Sequence, residues 1–249
     1  MNSTLIIQSH RSPLPYQWLS QCLGSVSEWC KLNHFDYRFV GDKLFDLVDP
    51  SIIEKTRTQV VILSDIARLI AIKQALDEKY TRVIWLDADF LIFDPDRFVL
   101  PKVSYAFGRE VWVQPDKQKR LKVYNKIHNA FLMFSKDNSF LDFYIESAIG
   151  LLEKNTGAIP PQFIGPKFLS AIHNIACLPV METAGMLSPA VIKDIILGDG
   201  NALDLFKKKS PQIISGANLC CSSVDKLEVN AQEMDALISR LLNSRRVFQ

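Results

Sequence analysis

The stretch that decides the reading is RVIWLDADFLIFDP, Arg82–Pro95. Val83, Ile84, Trp85 and Leu86 are β-branched, aromatic or aliphatic, so Arg82–Leu86 predicts a buried strand. Asp87 and Asp89 interrupt this apolar run, which resumes over Phe90, Leu91, Ile92 and Phe93 and turns at Asp94-Pro95. If the segment stays extended through Asp89, both carboxylates point the same way, about 6.6 Å apart along the chain. Buried among apolar flanks, two such anions force one to take up a proton unless a cation compensates. Oxygen donors suit a hard divalent ion, magnesium or manganese. In open α/β sheets ligands bind beyond the carboxyl ends of the strands, where Asp87 emerges. A polar turn at a strand end is the other reading of so short a pattern.

Upstream, Thr4–Ile7 predicts a first strand running out into Gln8, Ser9 and His10, and Pro13 and Pro15 mark a loop. From Tyr16 to Leu32, Trp18, Leu19, Cys22, Leu23, Val26, Trp29 and Cys30 recur at helical spacing, and Phe35–Val40 reads as a second strand closed by Gly41-Asp42. Leu63-Ser64-Asp65 starts a further helix with Ser64 or Asp65 as its cap. Downstream, strands are expected at Val103–Phe107 and Asn129–Phe134, separated by the basic stretch DKQKRLKVYNK. Helices are expected at Ser139–Lys154, at Lys167–His173 after Gly165-Pro166, and at Ala231–Asn243, with a last strand at Gln212–Ser215. Strands alternating with helices predict one α/β domain built on a mostly parallel central sheet.

The chain has 249 residues, 48% of them hydrophobic, enough for a sizeable core. Its 29 basic and 27 acidic residues leave a net charge of +2, so no global field draws in nucleic acid. The five cysteines include no C-x-x-C pair, which suggests reduced thiols packed in a core. The amino terminus reads as a strand and not as an export signal, and no span nears the ~20 apolar residues of a membrane helix, so a cytoplasmic protein is expected. Arg240, Arg245 and Arg246 beside the apolar stripe of the last helix have two readings, packing of a terminal helix or contact with an anionic membrane surface.

The W-L-D-A-D-F arrangement resembles the D-x-D motif of GT-A glycosyltransferases, in which a strand ends in two acids that hold a divalent metal and a sugar nucleotide. Ser64-Asp65-Ile66-Ala67-Arg68 resembles the S-D-x-x-R helix start of the transferases related to glycosyltransferase family 32. His128-Asn129-Ala130-Phe131 resembles that group's N-A-F segment, and Ile164-Gly165-Pro166-Lys167 its T-G-P turn. Two departures stand out: Asp77-Glu78-Lys79-Tyr80 replaces the usual Gly-Gly, and the place of a carboxyl-terminal metal-binding His falls on Asn218.

The resemblance implies a metal-dependent transfer, of retaining type, from a UDP- or GDP-sugar to a glycan, polysaccharide or lipid-linked acceptor. It implies a nucleotide-binding half, residues 1–100, and an acceptor-side half, residues 101–249. Asp87 and Asp89 would hold Mn2+ or Mg2+ with Asn218, the latter having a turn-capping role as its alternative. Asp87, Asp89 and Asn129 are the implied catalytic residues. Gln8, Ser9, His10, Asp65, Arg68, Asp87, Ala88, Gly165 and Pro166 are the implied donor contacts. His128 reads as a surface residue, and Lys117, Lys119, Arg120, Lys122 and Lys126 as a solvated segment or a site for an acidic acceptor. Two rivals share features of the motif: a haloacid-dehalogenase-type phosphotransferase, whose D-x-D sits on its first strand, and a non-catalytic sugar-nucleotide or glycan-binding module.

Overall fold

The computed structural model describes residues 3–136, 138–244 and 247–248. The chain opens β1 (Thr4–Ser9), α1 (Trp18–Leu32), β2 (Asp36–Val40), a 3-10 segment (Asp42–Leu47), α2 (Pro50–Thr56), α3 (Val60–Glu78) and β3 (Arg82–Leu86). It continues β4 (Phe90–Ile92), β5 (Tyr105–Pro115), β6 (Leu121–Ser135), α4 (Ser139–Lys154), α5 (Pro166–Ala176), β7 (Val180–Met181) and β8 (Ala184–Met186). It closes α6 (Pro189–Leu197), α7 (Asn201–Lys209), β9 (Gly216–Asn218), α8 (Ser222–Asp225) and α9 (Ala231–Asn243).

The central sheet has the order β2-β1-β3-β6-β5-β7. β1 pairs in parallel with both β2 and β3, β6 runs antiparallel to β3 and β5, and β7 is parallel to β5. Only β6 therefore opposes the common direction, and the expected mostly parallel sheet flanked by helices is what forms. A small second sheet has the order β4-β9-β8, with β4 following β3 directly after the two acids.

Burial explains the layering. Ile66, Leu69 and Ile72 of α3 and Leu141, Tyr144 and Ala148 of α4 pack on one face of the sheet with Val83 and Trp85. Val26 and Trp29 of α1 cover the other face with Ile84 and Leu86. A third cluster joins α6, α7 and α9 to the inward side of the β5–β6 ribbon through Val111 and Val113. The two amphipathic helices with clean caps match their expected bounds: Asn138 accepts from Phe140 N–H at α4, and Asn230 forms a reciprocal capping box with Glu233 at α9. Arg245 and Arg246 lie outside the described residues, so the membrane reading of that end has only Arg240 within them.

Four expectations are corrected. α3 starts at Val60, so Ser64 and Asp65 are interior, not caps; the Ser64 hydroxyl donates to the Val60 carbonyl at 2.9 Å. Val60 and Val61 are exposed, which leaves the first turn without the buried periodicity that marks a helix start. The strands near 103 and 129 are one long hairpin, Tyr105–Pro115 with Leu121–Ser135, and the basic stretch is its turn and returning arm. The final strand lies at Gly216–Asn218, not Gln212–Ser215. His128 is fully buried; burial pushes its pKa down to about 4, and its Nδ1 accepts from Ala130 N–H while Nε2 meets the Ala184 carbonyl.

Candidate functional site

β3 delivers the two acids, but the chain does not stay extended through them. Asp87 N–H donates to the Ala130 carbonyl at 3.0 Å, and Phe90 N–H donates back to the Asp87 carbonyl at 3.0 Å, closing a tight turn. The expected side-by-side arrangement of the carboxylates is thus replaced by one in which each acid faces a different partner.

Asp87 faces α3. Its Oδ1 accepts from Trp85 Nε1 at 2.7 Å and pairs with Arg68 NH1 at 3.0 Å. Arg68 NH1 also donates to the Asn129 carbonyl at 2.9 Å, NH2 lies 3.4 Å from Asp65 Oδ1, and the guanidinium sits over the Trp85 ring. Burial disfavours the Arg68 charge, yet Asp87 and Asp65 outweigh burial and raise its pKa. Asp65 Oδ1 takes a 2.7 Å hydrogen bond from Asn129 Nδ2, while its buried Oδ2 meets no donor among the described residues. Burial pushes the Asp65 carboxyl up to about 6 against the pull of Arg68 and Asn129. Gly165 closes this corner, since a Cβ there would lie 2.6 Å from Asp65 Oδ2.

Asp89 faces the small sheet. Asn218 Nδ2 donates to its Oδ1 at 2.6 Å and Cys221 N–H to its Oδ2 at 2.7 Å. Burial, then the neighbouring Asp87, pushes its carboxyl up to about 6 in spite of those donors. Cys220 adopts φ 55°, a left-handed turn that follows β9. The Asn218 oxygen accepts from Cys220 N–H at 2.8 Å, so the amide turns its nitrogen to Asp89. As it stands Asn218 orients the carboxylate and caps a turn; it does not offer an oxygen beside Asp89.

Val61, Ser64, Arg68, Asp87, Asp89 and Cys221 line both of two clefts and form the ridge they share. The first, of about 520 Å³, is walled by Ser9, His10, Arg11, Tyr16, Phe45 and Ala88 among others. The second, of about 640 Å³, reaches from Asp65, Asn129 and Pro166 to the outward side of the β5–β6 ribbon. Gln8 lies in neither wall: it is fully buried, its amide donates to the Asp87 carbonyl at 3.0 Å, and it accepts from Tyr37. It supports the turn from behind instead of touching a ligand. The structure thus unites Asp65, Arg68, Asp87 and Asn129 in one network, with Ser9, His10 and Ala88 on one side and Pro166 on the other.

Asn129 owes its place to a bulge. The β5–β6 register jumps from Phe107↔Leu132 to Gly108↔His128, which frees residues 129–131 from β5. Sequence reasoning missed the Cys221 N–H and the ribbon residues Glu110, Trp112 and Tyr124. The alternation of Val111 and Val113 with Glu110, Trp112 and Gln114 carried a strand signal for the ribbon; nothing local marks the Cys221 amide.

The donor set suits a hard divalent ion in part. Every hydrogen bond and ion pair of the Asp87 carboxylate among the described residues falls on Oδ1, and Asp89 supplies a second carboxylate at the cleft. No cluster of three or more His, Cys, Asp or Glu side chains among the described residues could hold a metal by itself. Magnesium-type sites commonly use one or two carboxylates and take their remaining oxygens from substrate phosphates and water.

No protein-family model matches the chain, and no curated protein matches it. Solved structures do. A glycosyltransferase involved in the glycosylation of the major capsid of PBCV-1 superposes with a TM-score of 0.51 at 12% identity, over 95% of this chain and 98% of that one. The galactosyltransferase LgtC, solved with donor and acceptor sugar analogues, gives a TM-score of 0.49 at 10% identity, over 95% of each chain. The chain therefore shares, nearly end to end, the fold of the first of these two proteins.

Proposed function

We propose that the chain is a glycosyltransferase that moves a sugar from a nucleotide-sugar donor to an acceptor hydroxyl with the help of Mn2+ or Mg2+. The observation that carries this reading is the position of Asp87 and Asp89: they close a central strand on the ridge between two clefts, within a nearly full-length fold shared with a glycosyltransferase. The motif follows the third strand of the chain, and this favours a sugar transferase over a dehalogenase-type phosphotransferase, whose acids end the first strand. On this reading residues 1–100 form the nucleotide half and residues 101–249 the acceptor half.

In the proposed reaction the bond from the anomeric carbon to the diphosphate breaks and the acceptor oxygen bonds to that carbon. The acceptor's proton leaves with the diphosphate or to solvent. A divalent ion held by Asp87 and Asp89 would supply Lewis-acid stabilisation of the departing charge. The chain's own residues do the rest. Ser9, His10 and Ala88 border the nucleotide, and Gln8 fixes the carbonyl of the turn. Arg68 holds Asp87 in place with a charge that burial keeps from being screened. Asp65 and Asn129, tied to each other and lining the larger cleft, would present a carboxylate and an amide to the sugar hydroxyls. Retention of anomeric configuration follows from the resemblance to the family-32 group, and NMR of the product anomer tests it.

Calorimetry with a panel of UDP- and GDP-sugars, with and without Mn2+, tests the proposal. We expect one donor to bind only with the metal, to be hydrolysed slowly, and to lose both properties in Asp89→Ala. Unchanged donor affinity and turnover in that variant would remove the basis of the assignment. Metal-dependent binding without hydrolysis or transfer would favour the non-catalytic module.

A further inference from the structure

The β5–β6 ribbon extends beyond the central sheet, because β6 pairs with β3 only over Phe131–Ser135 and β5 meets β7 only at Phe107 and Gly108. Its inward residues Val111, Val113 and Val123 pack on the helical cluster. Its outward residues form a ladder of directly opposed pairs: Glu110↔Lys126, Trp112↔Tyr124 and Gln114↔Lys122. Both rings of the middle pair line the larger cleft, and Tyr124 is 39% exposed there. An aromatic pair left open in a cleft presents large, rigid apolar area at low entropic cost.

The charges around it cancel. Glu110 stands opposite Lys126, whose ammonium lies over the Tyr124 ring. Lys122 and Arg120 are drawn to Asp116 at the ribbon's turn, so the basic stretch does not confront the cleft as a cationic wall. The Trp112 indole is held by the Gln114 amide oxygen at 2.9 Å, which fixes its plane. The cleft continues without a break to Asp87 and Asn129, and about 640 Å³ is ample for a small saccharide.

We infer that the outward face of this ribbon is the acceptor platform and that the acceptor is a neutral saccharide, one ring of which stacks on the Trp112–Tyr124 pair. This rests on the transferase reading and names its second substrate. Sugar rings offer an apolar C–H face to the aromatics, and their hydroxyls match Glu110 and Gln114; an anionic sugar finds no net positive charge.

The test uses methyl glycosides of glucose, galactose, mannose and N-acetylglucosamine, their disaccharides, and the phosphorylated and uronate counterparts, each added to the protein with UDP or GDP and Mn2+. Calorimetry reads the saccharide affinity in the unaltered protein and in every variant alike, since it needs no reporter at Trp112. We expect a neutral saccharide to bind at about millimolar affinity and Trp112→Ala or Tyr124→Ala to weaken it about tenfold or more. Trp112→Phe, which keeps a ring, should retain most of the affinity, and nucleotide binding should be unchanged in all three. Equal saccharide binding in the alanine variants, preference for the charged counterparts, loss of nucleotide affinity in the variants, or no saccharide binding to a nucleotide-loaded protein would each overturn the inference. Failure of the unaltered protein to bind any nucleotide or nucleotide sugar with metal would instead sink the transferase reading.

Discussion

Asp87 and Asp89 belong to one motif and live in different surroundings. Asp87 keeps 26% of its side chain exposed and leans on Arg68, whereas both oxygens of Asp89 are gripped and its carboxyl is raised by burial and by its neighbour. The residue types and their spacing were legible, as were Asp65, Arg68 and Asn129. Which atom meets which partner was not, because Asn218 and Cys221 arrive from well over a hundred residues away. Gly165 shows how little room this corner has. An added Cβ would sit 2.6 Å from Asp65 Oδ2 and 2.9 Å from Asn129 Nδ2, two side chains already tied to each other. For Gly165→Ala we expect a stability loss of about 1–3 kcal/mol from overpacking. Donor affinity should fall by about tenfold, roughly 1.4 kcal/mol, if Asp65 and Asn129 hold the sugar as proposed. Urea denaturation and calorimetry measure the two; unchanged donor affinity would remove Asp65 and Asn129 from the donor site.

At the scale of elements, β6 is the instructive case. The arm Leu121–Lys126 carries polar outward residues and reads as a charged loop, and only its pairing with β5 makes it a strand. α4 and α9 were legible because periodicity and caps are both local. The bulge that turns Asn129 toward α3 also buries His128, whose Nδ1 accepts the Ala130 N–H. Ala130 in turn takes the Asp87 N–H, so the ring supports the turn that carries the acids. Its folded pKa, about 4, lies below the ordinary 6.5. The unfolded chain therefore binds the proton first, and the stability His128 contributes is full above pH 6.5 and lost as pH falls toward 4. Between pH 7 and pH 5 that loss is about 2 kcal/mol. Asp65 and Asp89 act in the opposite sense, since their raised carboxyls penalise the fold near neutrality and relax as pH falls through about 6. Comparing the protein with His128→Gln cancels those shared terms. We expect urea denaturation to show the variant less stable at pH 7 and the gap narrowing by pH 5; a gap independent of pH would mean that the buried imidazole does not titrate as described.

For the whole molecule, the proposed function, with two clefts sharing one ridge, implies that cation and nucleotide would bind in mutual dependence. The chain offers two carboxylates and no third acidic, His or Cys ligand among the described residues, so the remaining oxygens of the ion would come from phosphates and water. We expect Mn2+ alone and UDP or GDP alone to raise the melting temperature slightly, the pair to raise it by more than the sum, and EDTA to reverse the gain. Additive shifts would place ion and nucleotide at separate sites.

The alternation of apolar strands and amphipathic helices determined the layered α/β architecture, because hydrophobic period is a local property that any single segment displays. The acids after β3 determined where the chemistry would be sought, because charge inside an apolar run is costly and needs a purpose. Tertiary structure alone decided that Asp87 and Asp89 part company, that Gln8 stands behind the site, that Asn218 turns its nitrogen to Asp89, and that Trp112 and Tyr124 share a wall with Asn129. The physical reason is one of range: propensity and periodicity act over a few residues, whereas these contacts are made by strands and turns that only packing brings together.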